Sequence, residues 1–171
     1  MKTNLIILIV FILAAILAYQ NFIINVSPSE PLGVYRIIRD KEIQKGDKVA
    51  LCLNIPLQEV GLKRGYLLPA RRCQMTEPLI KTIVAVPGDA VILKNNEIIV
   101  NSKVLPYPTK YVDSHGRKLD VFPRGIYKNI KTYWLVGTND PDSWDSRYWG
   151  GVEQKQILFL IRPVCYSWHE F

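Results

Sequence analysis

The chain has 171 residues and a formal net charge of +7, from 22 lysines and arginines against 15 aspartates and glutamates. Once its N-terminus is set aside, one domain of ordinary size remains, enough to bury a real core. The basic residues are scattered apart from Lys63-Arg64 and Arg71-Arg72, and no nucleic-acid module accompanies them, so a basic surface beside anionic lipid is the better reading than nucleic acid.

In chain order, the first element is apolar. No charged residue lies between Thr3 and Ser29, and residues 5–18 are almost wholly apolar. A helix needs roughly 20 residues to cross a bilayer, a length reached here only by including Tyr19, Gln20, Asn21 and Phe22-Ile23-Ile24. A cleaved signal peptide needs small residues one and three positions before the cut. Ala15-Ile16-Leu17-Ala18 misses that spacing, so residues 1–26 read as an uncleaved anchor. Charge does not fix its orientation: Lys2 lies on one side, Arg36, Arg39, Lys41 and Lys45 on the other, and no positive residue lies between Gln20 and Tyr35.

Residues 27–171 then read as one domain of short strands separated by turns. Strands are expected at 34–38, 47–53 and 80–86, the last closed by Pro87-Gly88-Asp89. Residues 91–93 and 97–100 flank Lys94-Asn95-Asn96 and form an expected hairpin, the asparagines tolerating left-handed dihedrals. Residues 132–136 and 157–161 complete at least six strands. Helix is scarce, with two turns expected over 57–63, and residues 103–128 read as an irregular excursion. The predicted architecture is mainly β, a partly closed barrel or sheet domain on a single N-terminal transmembrane helix.

Three cysteines occur, Cys52, Cys73 and Cys165, with no C-x-x-C and only two histidines, so no metal site and no cofactor is expected. One disulfide plus one leftover thiol fits an oxidising compartment. For hydrolytic chemistry, His115 sits in a turn-like loop and His169 near the end of the sequence, and both read as surface residues. The acids Asp140, Asp142 and Asp145 lack the pattern of a calcium loop. The remaining option is a serine activated by a lysine. Free lysine titrates near 10.4, so such a base must be desolvated, and it belongs inside an apolar strand. Lys81 satisfies that in Leu79-Ile80-Lys81-Thr82-Ile83-Val84-Ala85, sharing a face with Ile83 and Ala85. A lysine that protects a sheet edge fits the same position equally well.

Three boxes in one order resemble the type I signal peptidase family: Ser29-Glu30-Pro31-Leu32-Gly33-Val34-Tyr35, then Lys81 to Asp89, then Ser143-Trp144-Asp145-Ser146-Arg147-Tyr148-Trp149-Gly150. Within it the chain is most similar to the conjugal-transfer branch, the TraF-type pilin-processing peptidases. That branch has one residue between nucleophile and proline, as here. General leader peptidases have two, which Pro28 rules out. The Cys52 and Cys73 pair, Arg64-Gly65-Tyr66-Leu67 between them, and Gly116-Arg117 also resemble that branch, and a Cys52–Cys73 disulfide is a possible one. The resemblance covers nearly the whole chain.

The resemblance implies Ser29 as nucleophile and Lys81 as general base. It implies Ser27 as the hydroxyl that helps the Ser29 amide bind the oxyanion, and Ser143 as the group that orients the lysine amine. It implies Asp145 and Arg147 as a structural ion pair beneath the site. Plainer readings stand beside these: Ser27 as a turn residue before Pro28, Ser143 as a turn partner of Asp140, Asp145 and Arg147 as an ordinary strand-end pair. The implied activity is serine endopeptidase cleavage of leader peptides from exported precursors, a pilin subunit in the conjugal branch, where some members join the pilin ends into a ring. The implied setting is the inner membrane, single-pass, with the domain facing the periplasm or outside, among components of a type IV secretion or mating-pair formation system. A housekeeping signal peptidase and a non-catalytic membrane-anchored scaffold of a secretion system are the alternatives.

Two residues depart from the pattern. Glu30 replaces the usual apolar residue after the nucleophile, and Thr82 replaces the usual arginine after the lysine. A carboxylate beside the site favours the ammonium form of lysine, so either Glu30 points away or the pH optimum lies higher. Pro28 and Pro31 are expected to hold Ser29 extended, with Gly33 permitting a turn into the strand at Val34.

Overall fold

The structure is a computed structural model and describes residues 2–167. The expected surface position of His169 lies outside the described residues.

Helix α1 (Lys2–Asn21) is, among the described residues, the one helix long and apolar enough to cross a membrane. It stops at Asn21. Phe22-Ile23-Ile24 do not extend it but open strand β1 (Phe22–Asn25), which pairs antiparallel with β2 (Leu32–Ile38). The reason is period-2 alternation. Ile23 turns inward at 5% exposure to pack beside Tyr35 and Ile161, while Ile24 points out at 69%. The Arg39 guanidinium caps the end of the helix, donating to the Gln20 carbonyl at 2.6 Å and to Asn21 Oδ1 at 3.0 Å. Arg72 lies over the Tyr19 ring, 4.7 Å from its centre.

The remaining strands are β3 (Lys48–Leu51), β4 (Leu79–Ala85), β5 (Val91–Lys94), β6 (Glu97–Val100), β7 (Lys103–Val104), β8 (Gly125–Tyr127), β9 (Trp134–Val136) and β10 (Ile157–Ser167). They form two antiparallel sheets, ordered β1-β2-β10-β3-β4-β9 and β7-β6-β5-β8. The domain is mainly β, and the larger sheet curls without closing. Its centre is β10, which runs to Ser167 rather than stopping at residue 161. A register shift between Pro163 and Cys165 absorbs the missing proline N–H and lets pairing with β2 continue. The expected strand over 132–136 starts at Trp134, because the Tyr133 backbone pairs with Val152 instead. Residues 103–128 are less irregular than expected, since β7 and β8 lie in them and extend the second sheet.

Helix α2 (Ile55–Arg64) begins at Asn54, whose side chain accepts from the Leu57 N–H, and ends at Gly65 in the left-handed conformation. It lies between Cys52 and Cys73, which are joined by a disulfide. The β5–β6 hairpin turns at Asn95, φ 56°.

Alternation divides the larger sheet between two cores. Val49, Leu51, Ile83 and Leu135 face one cluster, with Tyr148 and Trp149 of helix α3 (Ser146–Trp149). Tyr35, Ile37, Ala50, Ile80 and Ile161 face the other. The second sheet packs Val91, Leu93, Ile98 and Val100 against Trp134 and Val136.

Candidate active site

The loop between β1 and β2 is folded around one buried side chain, Asn25. Its amide nitrogen donates to the carbonyls of Ser27 (2.9 Å), Glu30 (2.8 Å) and Pro31 (3.0 Å), and its Oδ1 accepts from the Ser27 N–H. The Tyr35 hydroxyl holds the Pro31 carbonyl at 2.6 Å. Three carbonyls gathered on one side chain bend the segment, so Ser29 sits in a turn and not in extended chain. Gly33 correspondingly lies inside β2, paired with Asn25, rather than in a turn before it.

Ser29 is nearly buried, at 8% exposure. Its carbonyl accepts from the Asn139 N–H at 3.1 Å, and Asn139 Nδ2 donates to the Pro28 carbonyl at 2.9 Å. Asn139 follows β9, the strand at the opposite edge of the sheet from β1. The two edges of the curled sheet therefore approach each other at this loop. Ser27 Oγ lies 3.4 Å from Ser29 Oγ and 3.5 Å from the Ser29 nitrogen, which donates to it. The Ser27 hydroxyl and the Ser29 N–H thus lie beside the Ser29 side chain, bonded to each other.

Lys81 is 2% exposed in the middle of β4, opposite Val49. Its face is that of Leu79 and Ile83; Ala85 joins the second sheet's cluster instead, because a bulge between Ile83 and Ala85 shifts the strand. Nζ donates to Ser143 Oγ at 2.9 Å. Burial pulls the ammonium pKa down to about 8; the negative charges of Asp145 and Glu30 oppose the fall and Arg147 assists it. Among the described residues no hydrogen bond joins Ser29 to Lys81. Each has its own hydroxyl partner, and both line one groove of about 1170 Å³ that also takes in Ser27, Ile80, Leu68 and Trp144. Such contacts are often long in a free enzyme and tighten with substrate.

Ser143 is itself fixed by a turn, its N–H donating to the Asp140 carbonyl at 3.1 Å, while its own carbonyl accepts from Arg147 at 2.9 Å. Arg147 and Asp145 form a two-pronged pair, Nε to Oδ1 at 2.8 Å and Nη2 to Oδ2 at 2.7 Å, both side chains essentially inaccessible. Asp145 also accepts the Gly137 N–H at 3.0 Å, and Arg147 reaches the Pro108 carbonyl at 2.6 Å. The pair thus ties together the turn that presents Ser143, the end of β9 and the 103–128 segment. His115 is exposed against Ser114, and among the described residues no group of side chains could hold a metal ion.

Four residues in this constellation carried no sequence signal. Gly137 packs so closely that a Cβ there would stand 2.2 Å from Ser143 Oγ and 2.9 Å from the Ser29 carbonyl. Asn25 looked like the tail of an apolar run. Lys48 and Thr138 meet Glu30, whose carboxylate lies against the sheet face opposite to that of Lys81. Only long-range contact reveals any of them.

The family model for signal peptidase, peptidase S26, matches residues 1–164. The chain is 33% identical over 144 residues to a conjugal transfer protein TraF of Agrobacterium fabrum, covering 82% of this chain and 80% of that one. It is 26% identical over 118 residues to signal peptidase I P of Bacillus subtilis subsp. natto, covering 66% of this chain and 63% of that one. A solved signal peptidase I of Enterococcus faecalis superposes with a TM-score of 0.39 at 19% identity, over 70% of this chain and 97% of that one.

Proposed function

The chain belongs to the signal peptidase family, peptidase S26, and on that premise we propose that it is a membrane-anchored serine endopeptidase using Ser29 and Lys81 to remove leader peptides from exported precursors. The observation that carries the reading is Lys81: a lysine in an apolar strand, held by a hydroxyl, with burial lowering its pKa to about 8 in the groove that contains Ser29. A desolvated amine of that basicity is neutral often enough near neutral pH to accept a proton.

In the proposed mechanism the neutral Lys81 amine takes the Ser29 Oγ proton as Oγ attacks the scissile carbonyl. The tetrahedral oxyanion is held by the Ser29 N–H and the Ser27 hydroxyl, a donor of this kind contributing roughly 3 kcal/mol. The Lys81 ammonium, steered by Ser143, then protonates the departing amine. Water, activated by the same lysine, resolves the acyl-enzyme on Ser29. A substrate amine in place of water would join two peptide ends instead.

The TraF relatives are conjugal transfer proteins by name, which together with the resemblance of the three boxes supports a pilin precursor as the proposed substrate. The proposal places α1 in the inner membrane with the domain facing the periplasm or outside. The signal peptidase relative favours a second reading, a housekeeping enzyme with many precursors. Wild type, Ser29→Ala and Lys81→Met are compared in membranes with a leader-bearing pilin precursor and with unrelated exported precursors. Equal processing by all three overturns the Ser-Lys reading. Cleavage of the unrelated precursors as readily as the pilin favours the housekeeping one.

A further inference from the structure

The two residues that depart from the family pattern, Glu30 and Thr82, touch each other. The Thr82 hydroxyl donates to Glu30 Oε1 at 2.7 Å, and the Thr138 N–H reaches the same oxygen at 3.3 Å. Glu30 Oε2 accepts from Thr138 Oγ1 at 2.9 Å and from Lys48 Nζ, which also donates to Thr82 Oγ1 at 3.0 Å. The Glu30 side chain is wholly buried, and its carboxylate accepts four bonds, close to its full capacity.

We infer that Glu30 is a positioning residue for the nucleophile, its carboxylate tying the Ser29 loop through the sheet to β3, β4 and the segment after β9. This rests on the Ser29–Lys81 reading. The geometry makes it more than fold support. Lys48 and Thr82 alternate onto the sheet face of Ala50 and Ile80, whereas Lys81 lies on the face of Val49 and Ile83. The nucleophile loop therefore joins the two faces, with Ser29 lining the groove that Lys81 also lines and the next residue clamped on the face opposite to that of Lys81. The clamp meets the site again through residues 137–139. Gly137 packs on Ser143 and the Ser29 carbonyl, Thr138 holds Glu30, and Asn139 holds Ser29 and Pro28. Releasing Glu30 frees both ends of that linkage.

The carboxylate also acts by charge. Glu30 supports the ammonium form of Lys81 together with Asp145 and Asp140, against Arg147. Facing Glu30 itself are Lys48 and, more distantly, the Tyr107 hydroxyl, whose pKa is raised by burial and then by the Glu30 charge.

Two variants of the full chain in detergent separate geometry from charge, with the leader-bearing pilin precursor as probe. Thr138→Val removes one clamp hydroxyl and leaves every charge in place. It is expected to lose about 10-fold in kcat with KM changed by less than about threefold, and to keep the wild-type pH profile. Glu30→Gln keeps the shape and removes the charge. It is expected to lose roughly 10- to 100-fold in kcat and to move the rising limb of the profile to lower pH. Thermal unfolding is recorded for both, and Thr138→Val decides the matter if Glu30→Gln does not fold. Wild-type kcat in Thr138→Val, or an unmoved limb in Glu30→Gln, overturns the inference. Ser29→Ala is run beside them: if it still cleaves, the underlying Ser-Lys reading fails, whereas an inactive Ser29→Ala beside normal clamp variants sinks only the clamp.

Discussion

Replacing Lys81 by methionine should make the protein more stable while removing its activity. The folded state holds this amine below its ordinary value, from 10.5 down to about 8, chiefly because burial penalises the ammonium. The unfolded chain therefore binds the extra proton more tightly than the folded one. A depression of that size is worth roughly 3 kcal/mol. The sign is destabilising, and the penalty is fully present below about pH 8, where both states are protonated. It disappears as pH rises through about 8 to 10.5, where first the folded and then the unfolded amine is neutral. Methionine keeps most of the volume but leaves the Ser143 hydroxyl without its partner, a loss of about 1 kcal/mol. The net expectation is a gain of roughly 2 kcal/mol at pH 7, falling to zero and slightly reversing above about pH 10. Urea unfolding of wild type and Lys81→Met in detergent, followed by intrinsic tryptophan fluorescence from pH 6 to 10.5, measures the gap. A variant no more stable at pH 7, or a gap that does not change with pH, refutes the claim that Lys81 is a buried amine of lowered basicity.

Cleavage by the wild type should rise through about pH 8 as Lys81 loses its proton, and a flat profile from mildly acidic to alkaline pH removes lysine as the base. Gly137→Ala forces a methyl group to within 2.2 Å of Ser143 Oγ; steady-state kinetics should show kcat down about 100-fold for a stability loss of about 1–3 kcal/mol, and unchanged kcat shows that Ser143 does not need its place. Asp145→Ala strands Arg147 with 1% of its side chain exposed, so urea unfolding should show about 3–5 kcal/mol lost, and a loss under about 1 kcal/mol contradicts the pair's role. Non-reducing peptide mapping should recover Cys52 linked to Cys73, and the double alanine variant should lose about 2–4 kcal/mol; two free thiols in the mapped protein refute the bond.

The features legible in the sequence are those encoded locally. The β-branched run around Lys81 and the asparagine turn of the β5–β6 hairpin each depend on neighbours within a few positions, and β4 to β6 stand within a residue or so of their expected places. Strand β1 was hidden because Phe22-Ile23-Ile24 are apolar enough to pass for the end of the span. Only the pairing with β2 shows where helix gives way to strand. The length of β10 was hidden by Pro163, a residue that ends strands unless a bulge excuses it. Glu30 looked discordant because its partners, Lys48, Thr82 and Thr138, are far away along the chain. The pocket that satisfies a buried carboxylate exists only after β3, β4 and β9 are side by side. The Asn25 loop failed for a related reason: proline stiffness argued for extension, and one side-chain amide outweighed it.

The junction of α1 and β1 has a mechanical consequence. The helix ends at Asn21 and the strand begins at Phe22, with no residue between them, and Arg39 bolts the last helical turn to the hairpin. At 20 residues α1 is about 30 Å long, close to the hydrocarbon thickness of an ordinary bilayer. A membrane thinner than this tilts such a helix, whereas a thicker one thins locally around it. Here strand follows helix directly, so a tilt of α1 in a bilayer would be passed along the hairpin arm to the loop at its tip. With α1 in a membrane, lipid chain length would then set the height and attitude of the Ser29 loop above the bilayer, as much as any side chain within it.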